Sequence, residues 1–493
     1  MKMGKDGGFL KYQRENTKNI KPEKRIKNYN EFHLPLTKQE RKLQAARCMD
    51  CGVPFCQFGQ MINGMSSGCP LNNLIPEWND LLYHDHYEAA LARLLKTNLF
   101  PEFTSRVCPS PCEKACTCAL NGDAVTICEN EKTIIEHGFS EGLIRPKKDI
   151  VRSNKKVAII GSGPSGLASA WQLNRRGHYV TVFERSDRLG GLLMYGIPNM
   201  KLEKQYVERR IQLMREEGIC FRVNKTIESK QQVDELLREF DSVIIACGAS
   251  EPRDIQVKNR NGKGIHFAVD YLKEVTKSLM DNQKSEMFIS AKDKRVLVIG
   301  GGDTGNDCVA TSIRQGCKDV IQLEMMPKLP EKRAENNPWP EWPKVSKTDY
   351  GQEEAIEVFK RDPRMYKSTI KAFVKDKEGN VKEAVVVKME LKEDGNGKWK
   401  MQEVEKSEQI VKCDLVLIAA GFLGVQQAIV KAFDIELNEY GFIKTNKSCK
   451  TTREKVFVTG DAKRGQSLVV WAIKEGKDTA RAVDKYLKGY TNI

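Results

Sequence analysis

Seven cysteines in two short segments have the residue type and spacing expected of metal ligands. The first segment has C-x2-C-x4-C-x12-C-P spacing, and the second follows about 40 residues later. In chain order, the seven are Cys48, Cys51, Cys56, Cys69, Cys108, Cys112 and Cys116. Thiolates two to four residues apart, with one cysteine followed by proline, suit iron–sulfur ligation. A structural zinc site would usually pair two C-x2-C units, but this sequence has one. Disulfides are rare in large chains of reducing compartments. We therefore predict two iron–sulfur clusters that draw ligands from both segments.

Two four-iron clusters need eight ligands, so seven cysteines leave one position open. A carboxylate could fill it, and Glu129 and Glu131 lie shortly after the second segment. Cys118 and Cys128 do not fit the spacing, and we interpret them as ordinary thiols. Apolar residues at helical spacing between positions 75 and 95 predict a helical region that holds the two segments together.

A glycine loop further along the chain predicts a dinucleotide site. Gly161, Gly163 and Gly166 have G-x-G-x-x-G spacing, after an apolar strand at 157–160 and before a helical run. The first glycine permits the turn, the second lets a pyrophosphate approach the backbone, and the third lets helix pack on strand. Glu184, at the end of the next strand, can accept hydrogen bonds from a ribose.

Two later features indicate that this first dinucleotide is FAD. A glycine doublet ending at Gly191 follows the ribose acid, where it lets backbone lie close to a ligand. Near the C-terminus a strand ends in Gly460 and Asp461, and a helix begins near Leu468. Asp461 can bind ribityl hydroxyls, and the helix N-terminus can stabilise negative charge on reduced flavin.

A second unit repeats the strand–loop–helix plan from residue 294 onward and predicts a nicotinamide dinucleotide. Its loop glycines are Gly300, Gly302 and Gly305. The following strand ends at Glu324, which favours a free ribose 2′-hydroxyl and therefore NAD. Lys328, Lys332 and Arg333 lie just beyond and can pair with a 2′-phosphate. These residues leave the choice of nucleotide open.

Composition places the chain among large globular enzymes. It has 493 residues and a formal net charge of +15, but the positive residues are scattered and no nucleic-acid motif is present. No run of eighteen apolar residues indicates a membrane span, and the first residues do not resemble a secretory signal. We therefore expect a cytoplasmic protein that binds neither nucleic acid nor membrane.

The order of these motifs predicts an α/β protein with a helical iron–sulfur domain followed by two interleaved Rossmann-like domains. The predicted boundaries are 1–150 for the arm and bis-[4Fe–4S] domain, 151–290 for the first part of the FAD domain, 291–425 for the NAD(P)H domain and 426–493 for the rest of the FAD domain. Residues 1–45 are polar and could form a flexible arm or an extension that contacts a partner; their composition favours the flexible arm. The segment 335–343, rich in proline and tryptophan, is equally typical of a binding loop and of a rigid cover.

The chain resembles the small (beta) subunit of bacterial-type glutamate synthase. The resemblance covers nearly the full length and rests on RCMDCGVPFC, SGCPLNNLIPEWNDL, VCPSPCEKAC, VAIIGSGPSGLA, GGLLMYGIP, VLVIGGGDTGNDC, RAENNPWPEWP and TGDAKRGQSLVVWAI. It implies that one cluster uses Cys48, Cys51, Cys56 and Cys116, and that the other uses Cys69, Cys108, Cys112 and Glu131. It also implies NADPH as the donor, with Arg333 on its phosphate, and a large (alpha) subunit as the partner. That subunit makes glutamate from glutamine and 2-oxoglutarate.

Three other functions account for part of these motifs. The same electron chain could feed a ferredoxin or a pyrimidine reductase, and composition does not separate these partners. A flavoprotein disulfide reductase would need a C-x-x-C beside the flavin, but the one such unit lies in the cluster region. A zinc or nucleic-acid binding module would lack flavin altogether.

Overall fold

Two parallel five-stranded sheets organise residues 156–458 in a computed structural model that describes residues 5–393 and 399–493. Their central strands are buried along most of their length, because helices cover both faces of a parallel sheet. Apolar runs such as 243–245 and 415–418 are therefore continuous and do not alternate with polar residues. The prediction of an α/β protein with two Rossmann-like units is confirmed.

The first sheet is built from distant parts of the chain. Its strands, in spatial order, are Val456–Val458, Ser242–Ile245, Lys156–Ile160, Tyr179–Phe183 and Cys220–Arg222. Its helices are Pro164–Arg175, Leu192–Tyr195, Lys204–Glu216, Lys230–Glu239, Gln427–Phe433, Asp461–Arg464 and Val469–Lys488. The second unit is thus inserted between the fourth and fifth strands, in chain order, of the first. A short antiparallel pair, Glu251–Pro252 with Phe422–Gly424, connects the two units.

The second sheet has the same plan. Its strands, in spatial order, are Ile265–Phe267, Leu415–Ile418, Arg295–Ile299, Asp319–Glu324 and Arg364–Tyr366. Its helices are Ala268–Asp281, Asp303–Arg314 and Tyr350–Phe359. The strand 265–267 and the helix after it pack in this unit, so the chain enters the second unit before the predicted boundary at residue 291. An antiparallel sheet follows, formed by Ser368–Lys375, Val381–Glu393, Trp399–Glu403 and Gln409–Lys412.

Short helices and two small hairpins form the N-terminal domain. Its helices are Gly8–Lys11, Pro22–Arg25, Lys38–Ala45, Ile75–Tyr83, Tyr87–Thr97, Pro101–Val107, Pro111–Lys114 and Ile127–Ser140, with 3-10 turns at Phe55–Gln57 and Thr117–Leu120. The hairpins pair Lys18–Asn19 with His33–Leu34 and Gln60–Ile62 with Met65–Ser67. The helical region predicted at 75–95 is two helices, because Asp85 adopts a left-handed conformation between them, with φ 62°.

The N-terminal arm, residues 18–34, is packed against other parts of the protein rather than extended into solvent. Arg25 is buried and its Nε lies 2.6 Å from Oε1 of Glu354 in the second dinucleotide unit. The expectation of a flexible arm is therefore wrong for these residues, because their charged groups have specific partners far along the chain.

The same arm also contacts the other two parts of the molecule. Glu31 pairs with Arg106 of the N-terminal domain, with Nε and Oε1 2.7 Å apart. The Glu31 backbone N–H donates to Glu203 in the first dinucleotide unit at 2.9 Å. The arm thus ties three parts of the fold together.

No helix among the described residues is long and apolar enough to span a membrane.

Candidate cofactor sites

Four of the predicted ligands line one small cavity in the N-terminal domain, and we call them the first cysteine group. They are Cys48, Cys51, Cys56 and Cys116. The start of the helix Ile75–Tyr83 forms another wall of this cavity. Burial raises the pKa of the Cys48 thiol to about 12, and the adjacent thiols of Cys116 and Cys51 add to the effect. Bare thiolates at Cys48 and Cys56 are thus unfavourable, whereas the cationic core of a cluster would compensate for their burial. The pKa of Cys116 is lowered to about 6 by a hydrogen bond with Cys118.

Asn79 adds a second sign that this cavity suits a sulfur-rich cofactor. Its side chain lines the cavity, and its buried Nδ2 has no partner at full hydrogen-bond geometry but acts on the Cys48 thiol, whose pKa it lowers. The other end of the amide is fixed, because Oδ1 accepts from Asn130 at 2.8 Å. A buried amide N–H that lacks an acceptor is costly, and a cluster sulfur would supply one.

The remaining predicted ligands form a second cysteine group: Cys69, Cys108, Cys112 and the carboxylate Glu131. Burial raises the pKa of the Cys69 thiol to about 12, and the charge of Glu131 raises it further. Burial also raises the pKa values of Cys108 and Cys112, and Cys69 and Glu131 contribute to both. The structure therefore brings together the four residues that the resemblance assigns to the second cluster.

Polar side chains hold Glu131 in place. Its Oε1 accepts from the Thr104 hydroxyl and, at 3.2 Å, from Asn98 Nδ2. Its Oε2 has a weaker contact, 3.5 Å from Asn73 Nδ2. Burial raises the pKa of Glu131 to about 8. Asn98 and Thr104 lie outside every motif in the sequence, so sequence reasoning did not identify them.

The other carboxylate and the two cysteines outside the predicted ligand set face other partners. Glu129 is only partly buried and its Oε1 faces Thr17, 3.4 Å from that hydroxyl. The Cys128 thiol donates to a backbone carbonyl at 3.0 Å. Cys118 lies in the wall of the first cavity, and its thiol donates to a backbone carbonyl at 3.5 Å.

The two cysteine groups are adjacent. The Cys69 backbone N–H donates to the Cys56 carbonyl at 2.7 Å, so a residue of each group shares a backbone hydrogen bond. Across the described ranges, no three His, Cys, Asp or Glu side chains are arranged as ligands of one metal ion. Ligands of a four-iron cluster each bind a different iron and therefore lie further apart.

The C-terminal helix connects the second cysteine group with the first dinucleotide unit. Trp471, in its first turn, donates from Nε1 to Ser66 Oγ at 2.7 Å. Lys477, two turns later, donates to the Thr97 carbonyl at 2.6 Å, and its charge acts on the pKa of Cys69. One helix therefore spans from the predicted flavin site to the second group.

The first glycine loop has the shape that a bound pyrophosphate needs. Gly161 has φ 107°, and a Cβ there would lie 2.4 Å from the Ala246 carbonyl oxygen. A Cβ on Gly166 would lie 2.1 Å from the Gly161 oxygen, so this glycine is required for packing of the helix on the strand. A Cβ on Gly163 would meet no atom within 4 Å. The open space at Gly163 is at the N-terminus of the helix Pro164–Arg175, where an anion is favoured.

The predicted ribose acid lies beside this loop. Glu184 is 5% exposed, and its Oε2 accepts from both the backbone N–H and the hydroxyl of Ser162, at 3.1 and 2.6 Å. Gly191 has φ 55°, and a Cβ there would lie 2.9 Å from the Gly163 Cα. The glycine doublet therefore lies directly against the phosphate loop.

The C-terminal motif returns to the same place. A Cβ on Gly460 would lie 2.5 Å from Ser165 Oγ, in the first turn after the loop. Burial raises the pKa of Asp461 to about 6, and Ser467 Oγ donates to this carboxylate at 2.8 Å. Leu468 is the N-cap of the C-terminal helix. The structure thus brings the predicted flavin residues together around one loop.

The second glycine loop repeats this geometry. Gly300 has φ 128°, and a Cβ there would lie 2.3 Å from the Ala419 oxygen. A Cβ on Gly305 would lie 2.1 Å from the Gly300 oxygen, the same distance as between a Cβ on Gly166 and the Gly161 oxygen. A Cβ on Gly302 would meet nothing within 4 Å. A second dinucleotide therefore fits this loop.

Arg333 is engaged away from the second glycine loop. Its guanidinium donates to the carbonyls of Asn337 and Glu341, at 3.2 and 2.8 Å. This segment packs on the N-terminal domain, where Ser67 Oγ donates to the Pro340 carbonyl at 2.7 Å. The segment 335–343 thus acts as a brace between two units. Within the described part of the chain, no hydrogen bond joins Arg333 to Glu324 or to the glycines.

Comparisons with known proteins agree with this arrangement. Residues 155–476 match the family model described as pyridine nucleotide-disulphide oxidoreductase, and residues 25–143 match dihydropyrimidine dehydrogenase domain II, 4Fe-4S cluster. FprA from Mycobacterium tuberculosis has a similar fold, with a TM-score of 0.53 and 18% identity over 68% of this chain and 85% of its own.

Two curated relatives cover almost the whole of this chain. The glutamate synthase [NADPH] small chain of Bacillus subtilis is 51% identical over 488 residues, which are 99% of each chain. The glutamate synthase [NADH] of Schizosaccharomyces pombe is 46% identical over 98% of this chain, and the match spans 23% of that longer protein.

Two dinucleotide loops in interleaved parallel sheets, preceded by a cysteine-rich domain, define an iron–sulfur pyridine nucleotide oxidoreductase. Within that class, this chain belongs to the glutamate synthase small-subunit family.

Proposed function

We propose that this chain is the electron-input subunit of a glutamate synthase. It oxidises NADPH through FAD and passes single electrons through two [4Fe–4S] clusters to a large subunit, which makes glutamate from glutamine and 2-oxoglutarate. The observation that carries this proposal is the C-terminal helix, which begins at the flavin motif and reaches the second cysteine group through Lys477. The relatives called small chains imply a larger partner, and the fission yeast relative contains a matching region within a much longer chain.

In this proposal, each cofactor is bound by its own set of residues. FAD is held by Gly161, Gly163, Gly166, Glu184, Gly191, Gly460, Asp461 and Leu468. NADPH is held by Gly300, Gly302 and Gly305. One cluster is bound by the first cysteine group and the other by the second, with Glu131 as the eighth ligand. Arg333 is the predicted phosphate partner, although its described contacts favour a bracing role.

When bound, the flavin and the clusters convert the two-electron transfer of a hydride into one-electron steps. The protein positions and shields these groups. The hydrogen bond between Trp471 and Ser66 fixes the start of the C-terminal helix against the N-terminal domain. The thiols of the second group are buried or partly buried, which limits the access of water and oxidants.

Apolar side chains exposed around the first cysteine group support a docking surface for the large subunit. We call the following pair the apolar rim: Val53 and Leu120. Val53 and Leu120 are 68% and 51% exposed, and they closely follow Cys51 and Cys116 in the chain. Exposed apolar patches mark interaction sites. This one adjoins the first cysteine group, which is farther from the flavin helix than the second group is. The occupant we assign is the glutamate synthase large chain, because the fission yeast glutamate synthase [NADH] carries the matching region within a much longer chain.

Replacement of Val53 by Asp should weaken assembly with the large chain at least tenfold while leaving reduction of an artificial dye by NADPH unchanged. A charge at the centre of an apolar interface is desolvated without a partner. Association is measured by analytical ultracentrifugation of the two purified chains. Leu391→Asp is the matched control, because Leu391 is 52% exposed on the distant antiparallel sheet. Equal effects of the two variants would exclude the apolar rim as the interface.

The proposed function as a whole is tested by anaerobic purification followed by flavin and iron analysis and by visible spectra before and after NADPH. We expect FAD and about eight irons per chain, as two four-iron clusters require, and bleaching of the flavin band by NADPH. Flavin without iron would refute the electron chain. Glutamate formation should then appear only when the large chain is added.

Replacement of Cys112 by Ser should remove about four of the irons and leave NADPH-dependent flavin reduction intact, because one of two clusters loses a ligand. Iron analysis and flavin bleaching are the two measurements. Cys220→Ser, at an exposed cysteine on the first sheet, serves as the control and should retain all the iron. Full iron in Cys112→Ser would contradict the assigned ligands.

A different partner is the second candidate. The match of residues 25–143 to a domain of dihydropyrimidine dehydrogenase favours a pyrimidine reductase, and a ferredoxin is a further possibility. Transfer of electrons from the reduced chain to a ferredoxin or a pyrimidine reductase, but not to the large glutamate synthase chain, would establish this alternative.

A further inference from the structure

A buried pair of asparagines lies beside the first cysteine group. Asn79, on the helix Ile75–Tyr83, lines the cavity of that group. Asn130 stands on the helix Ile127–Ser140, directly before Glu131. Both asparagines are 0% exposed. Burial of a side-chain amide is costly unless its N–H and C=O groups find partners, so the partners of this pair decide what it can do.

The hydrogen bond between the two amides fixes the orientation of Asn79. Asn130 Nδ2 donates to Asn79 Oδ1 at 2.8 Å, so the carbonyl end of the Asn79 amide is occupied. The Nδ2 at the other end is buried without a partner at full hydrogen-bond geometry, and it acts on the Cys48 thiol. The reverse orientation would direct a carbonyl oxygen at the thiolates, which is electrostatically unfavourable. The donation from Asn130 also polarises the Asn79 amide and strengthens its remaining N–H as a donor.

Buried cations do not distinguish the two cysteine groups. Arg47 is buried next to the first group, and its charge interacts with the Cys116 thiolate. Lys477 has the same relation to Cys69 of the second group. A positive side chain therefore lies near each group, whereas the Asn79 amide faces the first group.

We propose that Asn79, oriented by Asn130, raises the reduction potential of the first cluster by donating its remaining N–H to the sulfur of Cys48. An N–H that donates to a cluster sulfur stabilises the more negative, reduced state more than the oxidised state, so reduction becomes more favourable. The raised potential favours transfer of an electron from the second cluster to the first, which adjoins the apolar rim. This inference rests on the proposed binding of two clusters.

The test is an anaerobic potentiometric titration of the full chain, in which the reduced clusters are followed by electron paramagnetic resonance. Asn79→Leu/Asn130→Leu removes both amides together, so that neither is left buried without its partner. At a fixed potential we expect the ratio of reduced to oxidised first cluster to fall about tenfold, or about 59 mV for a one-electron couple. Asn130→Leu alone keeps the donor but not its orientation, and we expect a smaller fall in the same direction.

Ligand variants assign the effect to one cluster. In a Cys112→Ser background the first cluster should remain, and the asparagine substitutions should lower its potential in full. In a Cys56→Ser background the second cluster should remain, and the same substitutions should leave its potential unchanged. Thr133→Val removes a buried hydroxyl from the helix that carries Asn130, and it should change neither potential, because this hydroxyl donates to the Glu129 carbonyl within the helix.

Iron analysis accompanies each titration and separates the possible failures. Unchanged potentials in the asparagine variants, or equal shifts of both clusters, would overturn the proposal while the wild-type chain still holds both clusters. If the double variant loses iron, Asn130→Leu decides, and a wild-type potential in that variant with full iron would overturn the proposal. A wild-type chain that does not hold about eight irons would instead refute the proposed function, and this inference with it.

Discussion

Replacement of Gly163 by Ala should produce a folded protein that binds FAD about 10- to 100-fold more weakly. The added methyl group would meet no protein atom within 4 Å, so the fold itself is not strained. It would project into the space that a pyrophosphate needs, and overpacking of that size costs about 1–3 kcal/mol. Flavin content after dialysis tests the loss of binding, and the circular dichroism spectrum tests whether the variant is folded. Normal flavin content would refute the assignment of the first loop.

The chain contains matched controls for this experiment. Gly302→Ala places the same methyl group in the equivalent open space of the second loop, and it should weaken nicotinamide nucleotide binding while FAD is retained. Gly166→Ala should behave differently from both, because its Cβ would collide with the Gly161 oxygen at 2.1 Å and destabilise the unit. The three variants therefore separate loss of ligand from loss of fold.

Replacement of Arg210 by Ala should destabilise the protein by roughly 3–5 kcal/mol, the cost of leaving a buried charge without its partner. Arg210 in the first dinucleotide unit donates from Nε and Nη2 to Glu102 of the N-terminal domain, at 2.5 and 3.1 Å. Both side chains are 0% exposed. Urea denaturation followed by flavin fluorescence should show a lower midpoint, because the uncompensated Glu102 weakens the contact between the domains.

The neighbouring residue provides the control for Arg210. Arg209 pairs with Glu136, and these side chains are 28% and 29% exposed, so Arg209→Ala should cost no more than about 1 kcal/mol. The double variant Arg210→Met/Glu102→Leu should recover most of the lost stability, since apolar residues can replace a buried ion pair. Equal effects of Arg209→Ala and Arg210→Ala would show that burial does not determine the cost.

The sequence predicted those features that depend on local chemistry. Gly161 and Gly300 were identifiable because a tight strand-to-helix turn needs a positive φ, which both residues have. The predicted strand at 157–160 lies within the observed strand Lys156–Ile160 because its apolar run is short and clearly bounded. The α/β fold class followed from the order of these local signals, and the family followed from the resemblance of the quoted motifs; both are confirmed.

Features that depend on distant partners could not be read from the sequence. Glu102 and Arg210 are 108 positions apart, and neither residue stands in a motif. The polar composition of residues 18–34 suggested mobility, but the pairing of Arg25 with Glu354 depends on the tertiary structure. Sequence spacing likewise left Glu129 and Glu131 as rivals, whereas only the fold shows which carboxylate faces Cys69, Cys108 and Cys112.

The N-terminal arm has a consequence for biosynthesis. Arg25 pairs with a residue 329 positions later, so during translation at about 5–20 residues per second the arm waits for roughly 15–65 s before its partner exists. The N-terminal domain leaves the ribosome before the second dinucleotide unit does, and it lacks the Arg25–Glu354 contact throughout that interval. The thiols proposed to bind the clusters are therefore synthesised this long before docking of the arm can hold the three units together.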